Sequence, residues 1–203
     1  MIFAVVPVKT LREAKSRLGP VLSEADRAAL AEKMMRGVLL ALAESGAVTA
    51  SAVVSPDPRA LEIAWSAGAV PLREEASGLN AALEQARRWA LAGGATALLV
   101  LLADLPLLRG AEIAALTALA EGPCPCVVLA PDRHGRGTNA LLLRPPAAIP
   151  FSFGPDSYAR HCAAALATGI TPAVYRSPGT AFDLDTPSDL ADCGLRIAEC
   201  GVD

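Results

Sequence analysis

No stretch of this 203-residue sequence stays apolar for the roughly 20 residues that a membrane-spanning helix needs, so no membrane role is expected. The chain opens directly on the strand-like Ile2–Pro7 with no basic segment before it, and no signal peptide is expected either. Histidine is scarce, with only His134 and His161, and the five cysteines include no C-x-x-C, only Cys124-Pro-Cys126. That leaves no zinc-ligand spacing; an odd cysteine count reads as free thiols in a reducing cytoplasm, the expected location. The net charge of −3 argues against a nucleic-acid-binding surface. Neither a G-x-x-x-x-G-K-[ST] phosphate loop nor a G-x-G-x-x-G after the first strand occurs, which lowers P-loop and nicotinamide-dependent chemistries. Lysine is the last scarcity: three against fifteen arginines.

What is present is apolar, at 53% of residues with a mean hydropathy of +0.39, mostly from Ala and Leu. A chain of this length fits one domain, expected over residues 1–203, burying roughly 70% of its unfolded surface. Strand-like and helix-like segments alternate. Ile2–Pro7, Ala50–Val54, Val70–Leu72, residues 97–106, Cys126–Ala130, Ala140–Leu143 and Ala173–Tyr175 read as strands. Helices are expected from Ser23 to about Glu44, from Asp57-Pro58 to Gly68, and from Gly78 to Gly93-Gly94. Others are expected over about 110–121, over about 156–168, and after the strong start signal Thr186-Pro187-Ser188-Asp189. The alternation predicts an α/β fold, a mainly parallel sheet covered on both faces as one three-layer unit.

Residues 97–106 (Ala-Leu-Leu-Val-Leu-Leu-Ala-Asp-Leu-Pro) read as a central strand buried on both faces and ending at one carboxylate, Asp104. Ligands of open α/β sheets sit beyond the carboxyl ends of the strands. Two readings of Asp104 stay open on this segment alone: a metal or hydroxyl ligand, or the cap of the next turn. Two of the three lysines, Lys9 and Lys15, fall after the first strand beside Arg12 and Arg17. Four cations there suit a polyphosphate whose charge must be neutralised, although a solvated basic loop has the same composition.

Asp183 and Asp185, spaced i, i+2 in an extended segment, face one side and could meet one hard cation. With Asp104 they make an all-oxygen set that favours magnesium holding phosphate oxygens. A D-x-D pair also invites a phosphatase reading, but that nucleophile usually follows the first strand. Gly135-Arg136-Gly137-Thr138-Asn139 and Phe153-Gly154-Pro155-Asp156-Ser157 are further candidates, the second placing N–H groups and a hydroxyl at a helix start that can take an anion. His161, one turn on, reads as packed or exposed rather than catalytic.

In order and spacing these segments resemble the CofC/FbiD family of guanylyltransferases. Its members activate 2-phospho-L-lactate, phosphoenolpyruvate or 3-phospho-D-glycerate with GTP, for the deazaflavin coenzyme F-420. The likeness rests on Pro7-Val8-Lys9, Lys15-Ser16-Arg17-Leu18, Gly78-Leu79-Asn80, Ala103-Asp104-Leu105-Pro106, Gly137-Thr138-Asn139-Ala140-Leu141, Phe153-Gly154 with Ser157 and His161, and Asp183-Leu184-Asp185-Thr186-Pro187. The resemblance implies a three-layer nucleotidyltransferase fold, GT-A-like and Rossmann-like, with a mainly parallel mixed sheet. It implies magnesium on Asp104, Asp183 and Asp185. GTP falls to the loop of Lys9, Lys15 and Arg17 with Ser55, Gly78, Leu79 and Asn80, and the acid to Thr138, Gly154 and Ser157. It allows a hand-off of the product to a downstream transferase. Thr10, where relatives commonly carry proline, and Phe182 depart from the pattern and touch substrate preference, not reaction class. The rival readings are a related transferase using CTP or a sugar phosphate, and a non-catalytic nucleotide-binding module.

Overall fold

The structure, a computed structural model, describes residues 1–194; residues 195–203, which hold Cys200 and the end of the expected domain, lie outside the described residues. The described residues form seven strands: β1 (Ile2–Pro7), β2 (Ala50–Ser55), β3 (Val70–Arg73), β4 (Ala97–Leu101), β5 (Cys126–Pro131), β6 (Thr138–Arg144) and β7 (Ala173–Val174). They join one sheet in the order β3-β2-β1-β4-β6-β5-β7. The left half is parallel throughout; β6 runs antiparallel to both β4 and β5, and β7 rejoins β5 in parallel. Among the described residues, seven helices accompany the strands: α1 (Glu24–Glu44), α2 (Pro58–Ser66), α3 (Leu79–Ala92), α4 (Gly110–Ala118), α5 (Ser157–Ala167), α6 (Pro178–Ala181) and α7 (Pro187–Asp192).

The expected layers follow from the period-two alternation of the strands. Ala4, Val6, Leu99, Leu101 and Leu142 point into a core shared with α1, α2 and α4. Phe3, Val5, Leu98, Val100 and Leu141 point the other way, into a core shared with α3 and α5. Every residue of β4 is buried, as the uninterrupted apolar run requires of a central strand. Local signals set the helix starts: Ser23 and Asp26 close a reciprocal capping box on α1, and Thr186 with Asp189 does the same for α7. Among the described residues, no helix is long and apolar enough to cross a membrane.

The strand expected over residues 97–106 ends at Leu101, five residues before Pro106. Asp104 therefore stands in the loop after β4, not at the strand's last position. The Leu102 N–H still donates to the Asn139 carbonyl at 3.0 Å, and beyond it the chain leaves the sheet. Leu105 is buried under the same core, which is why its apolarity reads as continued strand.

A third, smaller core decides what meets what at this end of the sheet. Leu18, Leu22, Leu30, Met34, Leu184 and Leu190 pack together, tying the loop after β1, helix α1 and the segment before α7 into one cluster. Leu184, fully buried between Asp183 and Asp185, is its anchor on the aspartate side. Leu184→Ala is expected to lower stability by about 2–5 kcal/mol, the cost of a cavity in a site that cannot collapse, read from denaturant midpoints. A loss below about 1 kcal/mol would mean that this segment is held by its hydrogen bonds alone.

Candidate active site

The loop after β1 is built from two single 3-10 turns, Leu11–Glu13 and Ser16–Leu18, pinned by the buried Leu11 and Leu18. Asp57, capping α2, also accepts the Leu11 N–H at 2.8 Å. Lys15 sits between the turns with φ 55°, a left-handed conformation unusual for a residue with a side chain. That backbone turns its side chain inward.

Its ammonium lies 2.7 Å from Asp104 Oδ2 and 2.7 Å from Asp185 Oδ1, with only 9% of the side chain exposed. Burial works against the charge, but the two carboxylates more than offset it, and the Lys15 pKa is raised above the ordinary lysine value. Arg17, largely exposed, stands 3.6 Å from Asp185 Oδ2.

The aspartate segment is fixed from three sides. The Leu184 N–H donates to the Asp104 carbonyl at 3.1 Å, joining the two acidic loops through backbone. Asp189 accepts the N–H groups of Asp185 at 2.8 Å and Thr186 at 2.7 Å. Burial opposes its charge, but these donors and Arg133, also bonded to it, hold its pKa below the usual carboxylate range. Arg133 also lies 4.8 Å over the Phe182 ring, so the departure at Phe182 braces the residue that grips Asp189. Asn139, buried in β6, donates to Asp183 Oδ1 at 3.4 Å and to the Thr180 carbonyl at 3.1 Å. Asp183 is pushed above the ordinary carboxylate range by burial and then by the charge of Asp104, against the opposing pull of the Asn139 amide.

Among the described residues, no three His, Cys, Asp or Glu side chains close into a metal cage. The three aspartates nevertheless offer oxygens alone, and Asp104 Oδ1 is buried without a hydrogen-bond partner. Such an orphaned oxygen beside two further carboxylates fits a hard cation that keeps most of its ligands as water and substrate phosphate. The Lys15 ammonium supplies positive charge between two of them.

Lys9, Lys15, Gly78, Leu79, Asp104 and Asp185 line a cleft of about 340 Å³, with Asp183 and Arg17 beside it rather than on its walls. The three separate sequence signals thus converge on one site at the carboxyl ends of β1 and β4. Two of the expected nucleotide contacts stand elsewhere. Ser55 is fully buried and its hydroxyl accepts the Asp57 N–H at 3.0 Å, a turn contact rather than a cleft wall. Asn80 gives both polar ends of its side chain to Phe153, donating to its carbonyl at 3.1 Å and accepting its N–H at 2.9 Å.

Thr138, Gly154 and Ser157 form a second cluster outside those cleft walls, tied to its Gly78–Asn80 turn by that clamp. The Ser157 hydroxyl accepts the Thr138 N–H at 2.9 Å. Gly154 has φ 124°, and a side chain there would also meet the Arg160 guanidinium at 3.2 Å. His161 is buried against Thr138 and Phe153, packed as one of the two sequence readings has it. Asn139 belongs to the candidate stretch Gly135–Asn139, whereas Arg133 and Asp189 do not stand out in the sequence as site residues; of these two only Asp189 carries a signal, as the acid of the α7 capping box.

With this geometry in place, the comparisons with known proteins are specific. A family model described as "Guanylyl transferase CofC like" matches residues 2–197. A protein of Rubrobacter xylanophilus named phosphoenolpyruvate guanylyltransferase is 56% identical over 190 residues, covering 94% of this chain and 92% of that protein. Among solved structures, a putative nucleotide-diphospho-sugar transferase from Desulfovibrio desulfuricans aligns with a TM-score of 0.70 at 18% identity, covering 93% of this chain and 84% of that one. A nucleotidyl transferase from Methanothermobacter aligns with a TM-score of 0.67 at 14% identity, covering 95% of each chain. At such identities the structures speak for the fold alone, and the fold is that of nucleotidyltransferases.

Proposed function

We propose the substrates and metal chemistry of this site from one premise: the chain belongs to the CofC-like guanylyl transferase family. It is a guanylyltransferase, transferring GMP. GTP is the donor in this reading, phosphoenolpyruvate the acceptor as in the named relatives, and coenzyme F-420 synthesis the setting.

The observation that carries the reading is the buried Lys15 ammonium 2.7 Å from both Asp104 and Asp185, in a cleft that also holds Lys9 and the Gly78–Leu79 turn. A phosphate oxygen of the acid attacks the α-phosphorus of GTP in line. The bond from that phosphorus to the β-phosphate bridging oxygen breaks, and its electron pair leaves with pyrophosphate. The nucleophile is already an anion near neutral pH, so the chain has no need of a strong base, and positioning with charge neutralisation does the work. Asp104, Asp183 and Asp185 would hold a magnesium ion, which when bound neutralises charge on the phosphates. Lys9, Lys15 and Arg17 supply the protein's own positive charge to the triphosphate. Thr138, Gly154 and Ser157 hold the acid, beside Arg160.

Incubation with GTP, magnesium and each of phosphoenolpyruvate, 2-phospho-L-lactate and 3-phospho-D-glycerate, with products identified by mass, tests this. The expected result is a GMP adduct of phosphoenolpyruvate in excess over the other two. Tight GTP binding without pyrophosphate release from any acid would turn the reading to a non-catalytic nucleotide-binding module. Inorganic phosphate released from the acid without nucleotide would turn it to a phosphatase.

A further inference from the structure

Among the described residues, His161 is the one fully buried titratable side chain that the proposed reaction does not use. Its two ring nitrogens have different partners. Nε2 lies 3.0 Å from the backbone N–H of Ser152, and Nδ1 lies 3.0 Å from Thr138 Oγ1. A backbone N–H can only donate, so Nε2 must be the bare, accepting nitrogen. The proton of the neutral ring is then on Nδ1 and is donated to Thr138 Oγ1. Burial, and secondarily the charge of Arg160, keeps the ring neutral, with its pKa lowered to about 4.

The consequence falls on Thr138. One lone pair of its oxygen is taken by the ring N–H, which leaves its own proton free to donate. Ser157 is in the same condition, because its oxygen accepts the Thr138 N–H at 2.9 Å. Each of the two hydroxyls thus has a lone pair taken by an N–H and keeps a proton to give, an arrangement that suits a phosphate or carboxylate. The surroundings hold this arrangement still. Ser152 is bonded to the ring, and Phe153 is clamped by Asn80 and packs edge-on to the imidazole at 4.8 Å.

We infer that His161 is a positioning residue for the acid substrate: the Ser152 N–H fixes its tautomer, and its Nδ1–H in turn orients the Thr138 hydroxyl so that its proton is free for an anion. The inference rests on the proposed role of Thr138 and Ser157 in holding the acid.

The test compares Thr138→Val, His161→Phe and their combination in steady-state GMP transfer, with KM measured separately for GTP and for phosphoenolpyruvate. His161→Phe keeps the ring's bulk and its edge contact with Phe153 but removes both hydrogen bonds, so a purely packing role would leave KM unmoved. Each single change is expected to raise KM for the acid about 10- to 100-fold, the worth of a hydrogen bond to a charged group, and to leave KM for GTP unchanged. The combination is expected to be no worse than Thr138→Val, because the histidine acts through that hydroxyl. His161→Asn, which can still offer an N–H to Thr138, is expected to recover most of the loss.

A Thr138→Val enzyme with ordinary KM for the acid would remove the underlying reading and the inference together. A raised KM in Thr138→Val with none in His161→Phe, or fully additive effects, would overturn the inference alone. Should His161→Phe fail to fold, the wild-type protein decides. Its imidazole nitrogens, assigned by comparison with a His134→Gln variant, should show protonated Nδ1 and bare Nε2 by 15N NMR between about pH 6 and 8. The reverse tautomer there would overturn the inference.

Discussion

Asp104→Asn is expected to cut GMP transfer at least about a hundredfold while leaving the fold intact. The substitution keeps the shape of the side chain and removes one charge. Its structural contribution survives, because the bond that joins Asp104 to the 183–185 segment is made by its backbone carbonyl, at 3.1 Å from the Leu184 N–H. Stability should be little changed for a second reason. The charge lost is one that Lys15 shares between two carboxylates, and also one that pushes the Asp183 pKa upward. What is lost is the site's ability to gather positive charge around the leaving pyrophosphate. Removing one group that stabilises transition-state charge costs roughly 3–4 kcal/mol, a factor of several hundred in rate. Pyrophosphate release from GTP and phosphoenolpyruvate, set beside the melting temperature, checks both halves. Near-normal turnover with magnesium in excess would defeat the role given to Asp104. A large drop in melting temperature would make any lost turnover uninformative about charge.

The parts of the site that were legible in the sequence are those whose chemistry is carried by residue type and by place after a strand. Lys9 and Lys15 stand out because lysine is scarce and both follow β1; Asp104 stands out because it ends an apolar run. The same apolarity misplaced the end of β4. Leu102 and Leu105 are apolar because they pack, not because they lie in the sheet, and composition does not separate the two cases. Strand direction was legible only as a majority. β6 is as apolar as its neighbours β4 and β5, and what turns it antiparallel to them is the short connection from β5, which allows a hairpin but no crossover helix.

The residues that aim the site were harder to see. Asn139 holds Asp183 from a strand, and Asp189 holds the Asp185 N–H from a helix cap, and each is an ordinary residue for its place. Their importance comes from long-range neighbours. Ser55 and Asn80 show the converse. Both carry expectations from likeness to the family, and in this structure their polar groups are engaged by Asp57 and Phe153. Asn80 links the turn at the cleft wall, Gly78–Leu79, to the loop that carries Gly154.

Lys15→Met should have the largest effect of any single change at the site, because the ammonium serves two ends. In the free protein it is the cation that lets Asp104 and Asp185 approach the same point, 2.7 Å from each. Methionine fills a similar volume without charge and leaves three aspartates facing one another. In the proposed reaction the ammonium is also a compact charge available to the triphosphate, as Lys is suited to be. Turnover is expected to fall by at least about a thousandfold, at or beyond the upper end for one lost electrostatic contact. Lys15→Arg is not expected to restore it. A planar fork cannot place one point of charge between two oxygens that a single nitrogen now bridges.

A second readout separates the two jobs. If the ammonium and a divalent cation compete for Asp104 and Asp185, Lys15→Met should bind manganese more tightly than the wild-type protein in the absence of nucleotide. The gain should shrink when GTP is added, because the triphosphate then draws the wild-type lysine away from the carboxylates. Titration by electron paramagnetic resonance, with and without GTP, measures both affinities directly. Equal manganese affinity in the two proteins without nucleotide would show that Lys15 does not compete with the cation, leaving its contribution confined to the phosphates.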